Sequence, residues 1–397
     1  MTLNFSTAPQ NFLPDPGELD DLTFATVGQL FPIKSRRVYF NNASIGALSL
    51  PVTNAVNRFL TNCQLNGRND YPNWCKHADT AIKDRVAELI GADRGEIAFV
   101  KNTTEGLVTV ANGLDWREGD NVILPAIEYP SNVYCWMKLA NRGVSIRWVS
   151  PDADGRISVD AIREAMDGNT RLVSVSAVQF SNGFRHDLDA TAALCRERGV
   201  LLNLDAIQWV GALEINVHEL GVDFMSFGGH KWMLAPIGTG VFYCRAGALD
   251  QLDPPSVGYH SVDRGEDHMD YLLDYRPNAG RFEEALVNFP GIWGLDAAIR
   301  VQLALTPRAI EAHILDLTCY AADRLRAKGY VIKSPRGPGE QSGNLSFTHP
   351  RRAPQEIDDH LKGHGIDLAQ RGGNLRISPS YYNDRDEIDR LLEELPD

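Results

Sequence analysis

One lysine in this 397-residue chain sits behind a histidine and two glycines: Lys231, in "SFGGHKWMLAPIGTG" (226–240). The stretch just ahead of it, "VDFMSF", reads as a buried strand, so Lys231 stands past a strand's carboxyl end. Asp205, in "LLNLDAIQ", stands past another strand end, one crossover unit earlier. Consecutive strands joined by one crossover are often neighbours, and open parallel sheets bind ligands beyond those ends. Asp205 and Lys231 can therefore face one crevice, with Gln208 three residues on able to fold back toward Asp205.

Desolvating either charge is costly and needs a reason. One reason is an ion pair in which Lys231 neutralises Asp205. Another is pyridoxal phosphate. Lys231, its pKa depressed, would form a Schiff base with the cofactor aldehyde. Asp205 would keep the pyridine nitrogen protonated, making the ring an electron sink. Lys231 would return as general base at a substrate α-carbon. Spacing alone leaves both open. A phosphate needs donors, and "KNTTEGLVTVANGL" offers Thr103 and Thr104 at the start of a helix, where backbone N–H groups are free. The same residues also suit a plain N-cap with Glu105 in the first turn. Tyr129, in "PAIEYPSN", follows a strand and could stack on a cofactor ring, or be a loop tyrosine held extended by Pro130. His230 adjoins Lys231 and is assigned to the cofactor site on that ground.

The elements that must position these residues run from about 80 to 245. "EIAFV", "NVILPA", "VSIRWV", "RLVSVSAV", "VLLNL", "VDFMSF" and "GVFYCR" read as strands, with helices at 104–115, 131–141 and 188–199. That alternation predicts an α/β fold with a mostly parallel sheet covered on both faces. Residues 248–290 form a long polar connection, and within it "DRGEDHMDY" (263–271) reads as a solvated acidic loop rather than a metal site. Helices at 292–304, 307–328, 354–363 and 383–395, strands in "YVIKS" and "GNLSFTH", and a hairpin of "GIDLAQ" with "NLRISPS" predict a smaller α+β domain. The division expected is an arm at 1–38 packing with the small domain, a large domain at 39–290 and a small one at 291–397.

A net charge of −13 argues against nucleic acid or anionic membrane as a partner. No apolar run is long enough for a membrane span, and the N-terminus lacks the pattern of a signal peptide. Six scattered cysteines without a CxxC pair point to the cytoplasm. Three glycosylation patterns, at Asn42, Asn102 and Asn344, then read as chance matches.

"NTTEG", "EYPSN", "DAIQ", "GGHKW" and "NLRISPSYYN", in that order from about Tyr39 to the C-terminus, resemble fold-type I pyridoxal phosphate enzymes of the class V aminotransferase group. That group holds cysteine desulfurases, isopenicillin N epimerase-like proteins and cysteine C–S lyases. The resemblance implies that Lys231 carries the cofactor, Asp205 holds its ring nitrogen and Gln208 its phenolic oxygen. Thr103, Thr104 and His230 would serve the phosphate, and Tyr129 would cover the ring. Arg376 would grip the substrate carboxylate, and Asn42 and Ala43 would line the substrate side. It also implies a homodimer, with 255–290 helping to build the neighbour's site.

Departures matter as much. "GHGIDLAQRGGNLRIS" lacks the nucleophilic cysteine of cysteine desulfurases. Gly228 and Leu286 stand where the family often has phosphate-binding hydroxyls, leaving backbone and Asn288 as substitutes. Phe180 takes the place of a ring-contacting asparagine, with Gln179 or Asn182 as replacements. Arg371, in "QRGG", reads as a solvent-facing arginine or as a second anion site for an acidic substrate. The expectation is an enzyme acting at the α-carbon of an amino acid by epimerisation, amino transfer or β-elimination. A persulfide-type desulfurase and a non-catalytic cofactor-binding protein are the other readings.

Overall fold

The structure is a computed structural model that describes Leu19, residues 21–263 and residues 271–396. The β-branched and aromatic runs between residues 97 and 244 form one seven-stranded sheet. Its spatial order is Ile97–Val100, Gly240–Cys244, Phe224–Gly228, Leu201–Asp205, Thr170–Ser176, Asn121–Pro125, Ser145–Val149. Only Gly240–Cys244 runs against its neighbours; the other pairings are parallel. Leu201–Asp205, Phe224–Gly228 and Gly240–Cys244 are buried at every residue, which is why they read as unbroken apolar runs. The edge strand Ser145–Val149 is partly exposed, with Trp148 open to solvent.

Pairing fixes the site. Asp205 is in register with Ser176 on one side and Ser226 on the other, so the strands bearing Asp205 and leading to Lys231 are neighbours. Two apolar layers sandwich the sheet. The larger contains helix Phe289–Leu305, which packs against Leu50–Asn66. The second includes Ala98, Val110, Leu124 and Phe242.

A third apolar cluster unites Val38 and Phe40 with Leu317, Leu345, Ile377 and Leu391. Its sheet has the order Ala369–Arg371, Asn374–Ile377, Leu345–Thr348, Val331–Ile332, all antiparallel. The hairpin expected here turns at Gly372 and Gly373, whose φ values of 55° and 76° fit a tight turn that favours glycine. Its first part behaves otherwise than expected: Ile366–Asp367 pairs in parallel with Val38–Tyr39.

Phe289–Leu305, which begins at the boundary expected at 290, is buried in the large cluster. Helix Pro307–Ala327 spans both clusters, with Ile310 and Ile314 in one and Leu317 and Ala321 in the other. We propose that the division falls within this helix. In the described part of the arm, Phe31 stacks on Tyr382 at 4.2 Å and Lys34 pairs with Asp384 at 2.8 Å. Residues 1–18 and 20 lie outside the described residues, as do 264–270 of the acidic loop. Helices Leu50–Asn66, Tyr71–His77 and Lys83–Ile90 had no counterpart in the sequence reading. Asparagine, threonine and valine are weak helix formers and blur the period in the first of them. Among the described residues no helix is long and apolar enough to cross a membrane.

Candidate active site

A cavity of about 400 Å³ opens at the carboxyl ends of the central strands. Asp205, Gln208, His230, Lys231, Thr103, Thr104, Tyr129, Ala43 and Arg376 all line it, as do Phe180 and Arg371. A larger depression of about 930 Å³ lies elsewhere, by Arg156, Arg185 and Trp209. Its arginines are already paired, Arg156 with Glu340 at 2.7 Å and Arg185 with Glu311 at 2.5 Å. The unsatisfied chemistry is in the smaller cavity.

Lys231 forms no ion pair among the described residues, so the ion-pair explanation for its placement is not the one realised. Its Nζ lies 5.5 Å from the centre of the Tyr129 ring. Burial pushes the amine down to about 8, the Asp205 charge pulls it up, and Arg376 and Arg371 push it further down. Asp205 is 2 % exposed, and among the described residues its Oδ1 accepts only from the backbone N–H of Ile207 at 3.1 Å. Burial raises its carboxyl to about 6, against the pull of that hydrogen bond and of Lys231. A buried acid and a buried base share a cavity without touching, which leaves room for a group between them.

The turn bearing Lys231 is held from several sides. Leu234 N donates to Lys231 O at 3.0 Å, and Gln302 donates to the carbonyls of Trp232 and Met233. Gly46 N donates to His230 O at 2.7 Å. A Cβ on Gly46 would lie 2.2 Å from Lys231 O, so only glycine permits this approach. Gln208 is anchored too: it donates to Ala43 O at 3.1 Å and accepts from Trp232 Nε1 at 2.8 Å.

At the other end, helix Thr103–Gly113 begins with Asn102 capping Glu105 N at 3.0 Å. Glu105 is in the first turn as the N-cap alternative had it, but the capping side chain is Asn102 and not Thr103 or Thr104. Thr103 Oγ1 is nonetheless buried without a partner, and Thr104 Oγ1 lies 2.8 Å from Ser131 Oγ. Burial pushes the His230 imidazole down, as does Lys231, which favours its neutral form. A Cβ at Gly228 would meet His230 Nδ1 at 3.0 Å, so the missing side chain makes space for that ring.

Arg376 is 1 % exposed and has no carboxylate partner among the described residues. It donates to Phe180 O at 2.5 Å and to Ser44 Oγ at 3.3 Å, and its Nε is unsatisfied. Burial pushes the guanidinium down to about 9, with Arg371 adding to the shift. Arg371 is half-buried and lines the cavity, and its Nη2 reaches the same Ser44 Oγ at 3.2 Å. Ala369 opposes Arg376 in the hairpin, and Arg371 is two residues from Ala369, so both arginines share a face.

Three assigned residues do not line the cavity. Asn42 donates to Ser378 O at 2.9 Å and accepts from Tyr382 at 3.0 Å, which commits its amide to holding the loop. Gln179 donates to Glu128 at 2.8 Å, so Phe180 and not Gln179 faces the cavity. Asn288 caps helix Phe289–Leu305 and donates to Gly238 O at 3.1 Å. The sequence reading missed Ser44 and Ser131, although each lies within a stretch it had singled out. It also missed Glu128. This buried acid, raised to about 7 by burial, accepts from Ser176, Gln179 and Asn132, and so ties down the residues that adjoin Tyr129 and Phe180. Tyr129 and Phe180 meet edge-on at 5.2 Å.

The family model described as aminotransferase class-V matches residues 38–391. The chain belongs to the aminotransferase class-V family. It is 32% identical over 388 residues to a probable cysteine desulfurase of Methanothermobacter thermautotrophicus, covering 92% of this chain and 95% of that one. It resembles the apo structure of a cysteine desulfurase from Thermococcus onnurineus with a TM-score of 0.84 and 26% identity, over 93% and 96% of the chains. It also resembles the cystine C–S lyase C-DES, in complex with its product cysteine persulfide, with a TM-score of 0.85 and 25% identity, over 91% and 98%. The protein is thus a class V enzyme of fold type I, and pyridoxal phosphate is its cofactor. The residues present fit that group: an unpaired amine, a buried acid, an orphaned threonine hydroxyl at a helix start, and an uncompensated arginine.

Proposed function

We propose that this enzyme acts at the α-carbon of an amino acid, and that β-elimination at a carbon–sulfur bond is the reaction. The observation that carries this reading is a cavity with Lys231 as its free amine, two arginines facing Lys231, and no cysteine in its lining. Cys135, four residues past Ser131 of the lining, donates to Ser131 O at 3.4 Å and is pushed up to about 12 by burial. A thiol in that state is inert. A persulfide relay therefore has no carrier in the cavity lining, whereas a C–S lyase needs none.

Lys231 would hold the cofactor, Asp205 its ring nitrogen, and Thr103, Thr104 and His230 its phosphate, beneath Tyr129. Bound there, the cofactor supplies an electron-accepting ring conjugated to the substrate α-carbon. Arg376 would bind the α-carboxylate and fix which bond at that carbon is presented to Lys231. Lys231 would take the α-proton, and the Cβ–S bond would break with its electron pair leaving on sulfur. The released enamine would hydrolyse to pyruvate and ammonia. Arg371 supports a substrate with a second carboxylate, as in an amino acid disulfide. Soluble cytoplasmic homodimers are part of this proposal.

The test supplies cystine, S-alkyl cysteines and ordinary amino acids to the holoenzyme and measures pyruvate, ammonia and keto acids. Pyruvate and ammonia in equal amounts over many turnovers are expected. Keto acid limited to one per subunit until a second keto acid is added would replace elimination with amino transfer. Inversion of the α-carbon without pyruvate would replace it with epimerisation. Arg371→Ala should lower kcat/KM for cystine by roughly ten- to a hundredfold, the range for one charged hydrogen bond, and spare S-alkyl cysteines.

A further inference from the structure

We propose that His360, His364 and Glu394 form a surface site for a divalent transition metal of the zinc type, clamping two helices of the small domain. His360 lies in the last turn of helix Pro354–Gly363, and His364 is the residue just past its end. Their i, i+4 spacing puts both rings on one face. The ring centres are 4.3 Å apart. Glu394, the last residue of helix Arg385–Glu394, comes from the other side.

The geometry is close to that of a bound ion. Glu394 Oε2 lies 3.9 Å from His360 Nε2 and 3.6 Å from His364 Nε2. All three ligand atoms fall within 4.8 Å of one another. Ligands about 2.0–2.1 Å from a tetrahedral zinc are roughly 3.4 Å apart, so each histidine need close on Glu394 by only a few tenths of an ångström. Nδ1 of His364 is 2.8 Å from the His360 carbonyl. That carbonyl holds the Nδ1 proton and leaves the Nε2 lone pair for a metal. His360 Nε2 is 3.0 Å from the Glu394 carbonyl, and an ion would displace the proton it donates there.

The electrostatics agree. Both helices end at this point, so the negative ends of two helix dipoles favour a cation. The side chains are 45 %, 47 % and 35 % exposed, which leaves an open position for water and a path for entry. Arg390 opposes the site, but its guanidinium is directed to the His364 carbonyl at 3.1 Å. The other such cluster among the described residues, Asp93, Glu96 and His218, is a poorer candidate. Glu96 already accepts from Asp93 N, Ala246 N and His218. A metal at His360 would brace helix Pro354–Gly363, which packs on the strands carrying Arg371 and Arg376.

The test titrates zinc and cobalt into the holoenzyme by calorimetry and visible absorption. Cys319→Ser is the background, since Cys319 is an exposed free thiol. One equivalent should bind, with the absorption of four-coordinate cobalt, and zinc should raise the thermal midpoint. His360→Ala and His364→Ala should each weaken binding at least tenfold and abolish the thermal shift, and Glu394→Gln should weaken it less. Absence of binding, or equal binding in the His360→Ala/His364→Ala double variant, would overturn the site.

Discussion

Lys231 illustrates how a reactive group is made at the cost of stability. A lysine whose folded value is about 8 opposes folding when protonated, because its unfolded value is 10.5. That opposition is fully present below pH 8 and is relieved as the pH rises from 8 to 10.5. Lys231→Met should therefore stabilise the cofactor-free protein at pH 7 by about 1–3 kcal/mol, allowing for partial exposure. The gain should vanish above pH 10.5. The same variant should lose turnover entirely. Denaturant unfolding at the two pH values, beside the pyruvate assay, checks both; a destabilised variant at pH 7 would contradict the assigned amine environment.

Elements act here by bringing loops against the catalytic turn. The 43–46 loop carries Ala43, Ser44 and Gly46, and each touches a different part of the site. Its near end is tied to the small domain through Ala43 N and Ser378 Oγ at 3.0 Å. Gly46→Ala would drive a methyl into the Lys231 carbonyl and the Leu234 side chain, 2.2 and 2.4 Å away. Both are hemmed in, and Leu234 already has a left-handed φ of 53°. The substitution should cost about 1–3 kcal/mol and lower kcat more than it raises KM, since the displaced group is the base. Unchanged kcat would mean that the turn moves without consequence for Lys231.

At the scale of the molecule, Ile45 at the cavity edge is exposed, as are Leu48, Leu50, Ile237 and Leu286 elsewhere on the surface. Large apolar side chains of this kind, where contiguous, mark interaction surfaces. Sedimentation equilibrium of the holoenzyme should give twice the chain mass. A monomer with full activity would remove the homodimer from the proposal and leave the cavity complete within one chain.

Sequence by itself determined the sheet, because strands buried on both faces must be apolar throughout, and it determined the order in which Thr103, Tyr129, Asp205 and Lys231 arrive at strand ends. It also determined that no cysteine precedes Arg376 in the expected loop. Tertiary structure alone decided what those groups meet. Asp205 and Lys231 share a cavity without pairing, a distance no spacing encodes. Asn42, Gln179 and Asn288 carry amides suited to a ligand, yet each is committed to the protein's own backbone or side chains. Arg371 sits in a glycine-rich turn that reads as surface, yet the pleat turns it toward Ser44 beside Arg376. Asn42 and Asn344, which match a glycosylation pattern, are buried. In each case a polar side chain has several partners of equal chemistry, and only long-range packing selects among them.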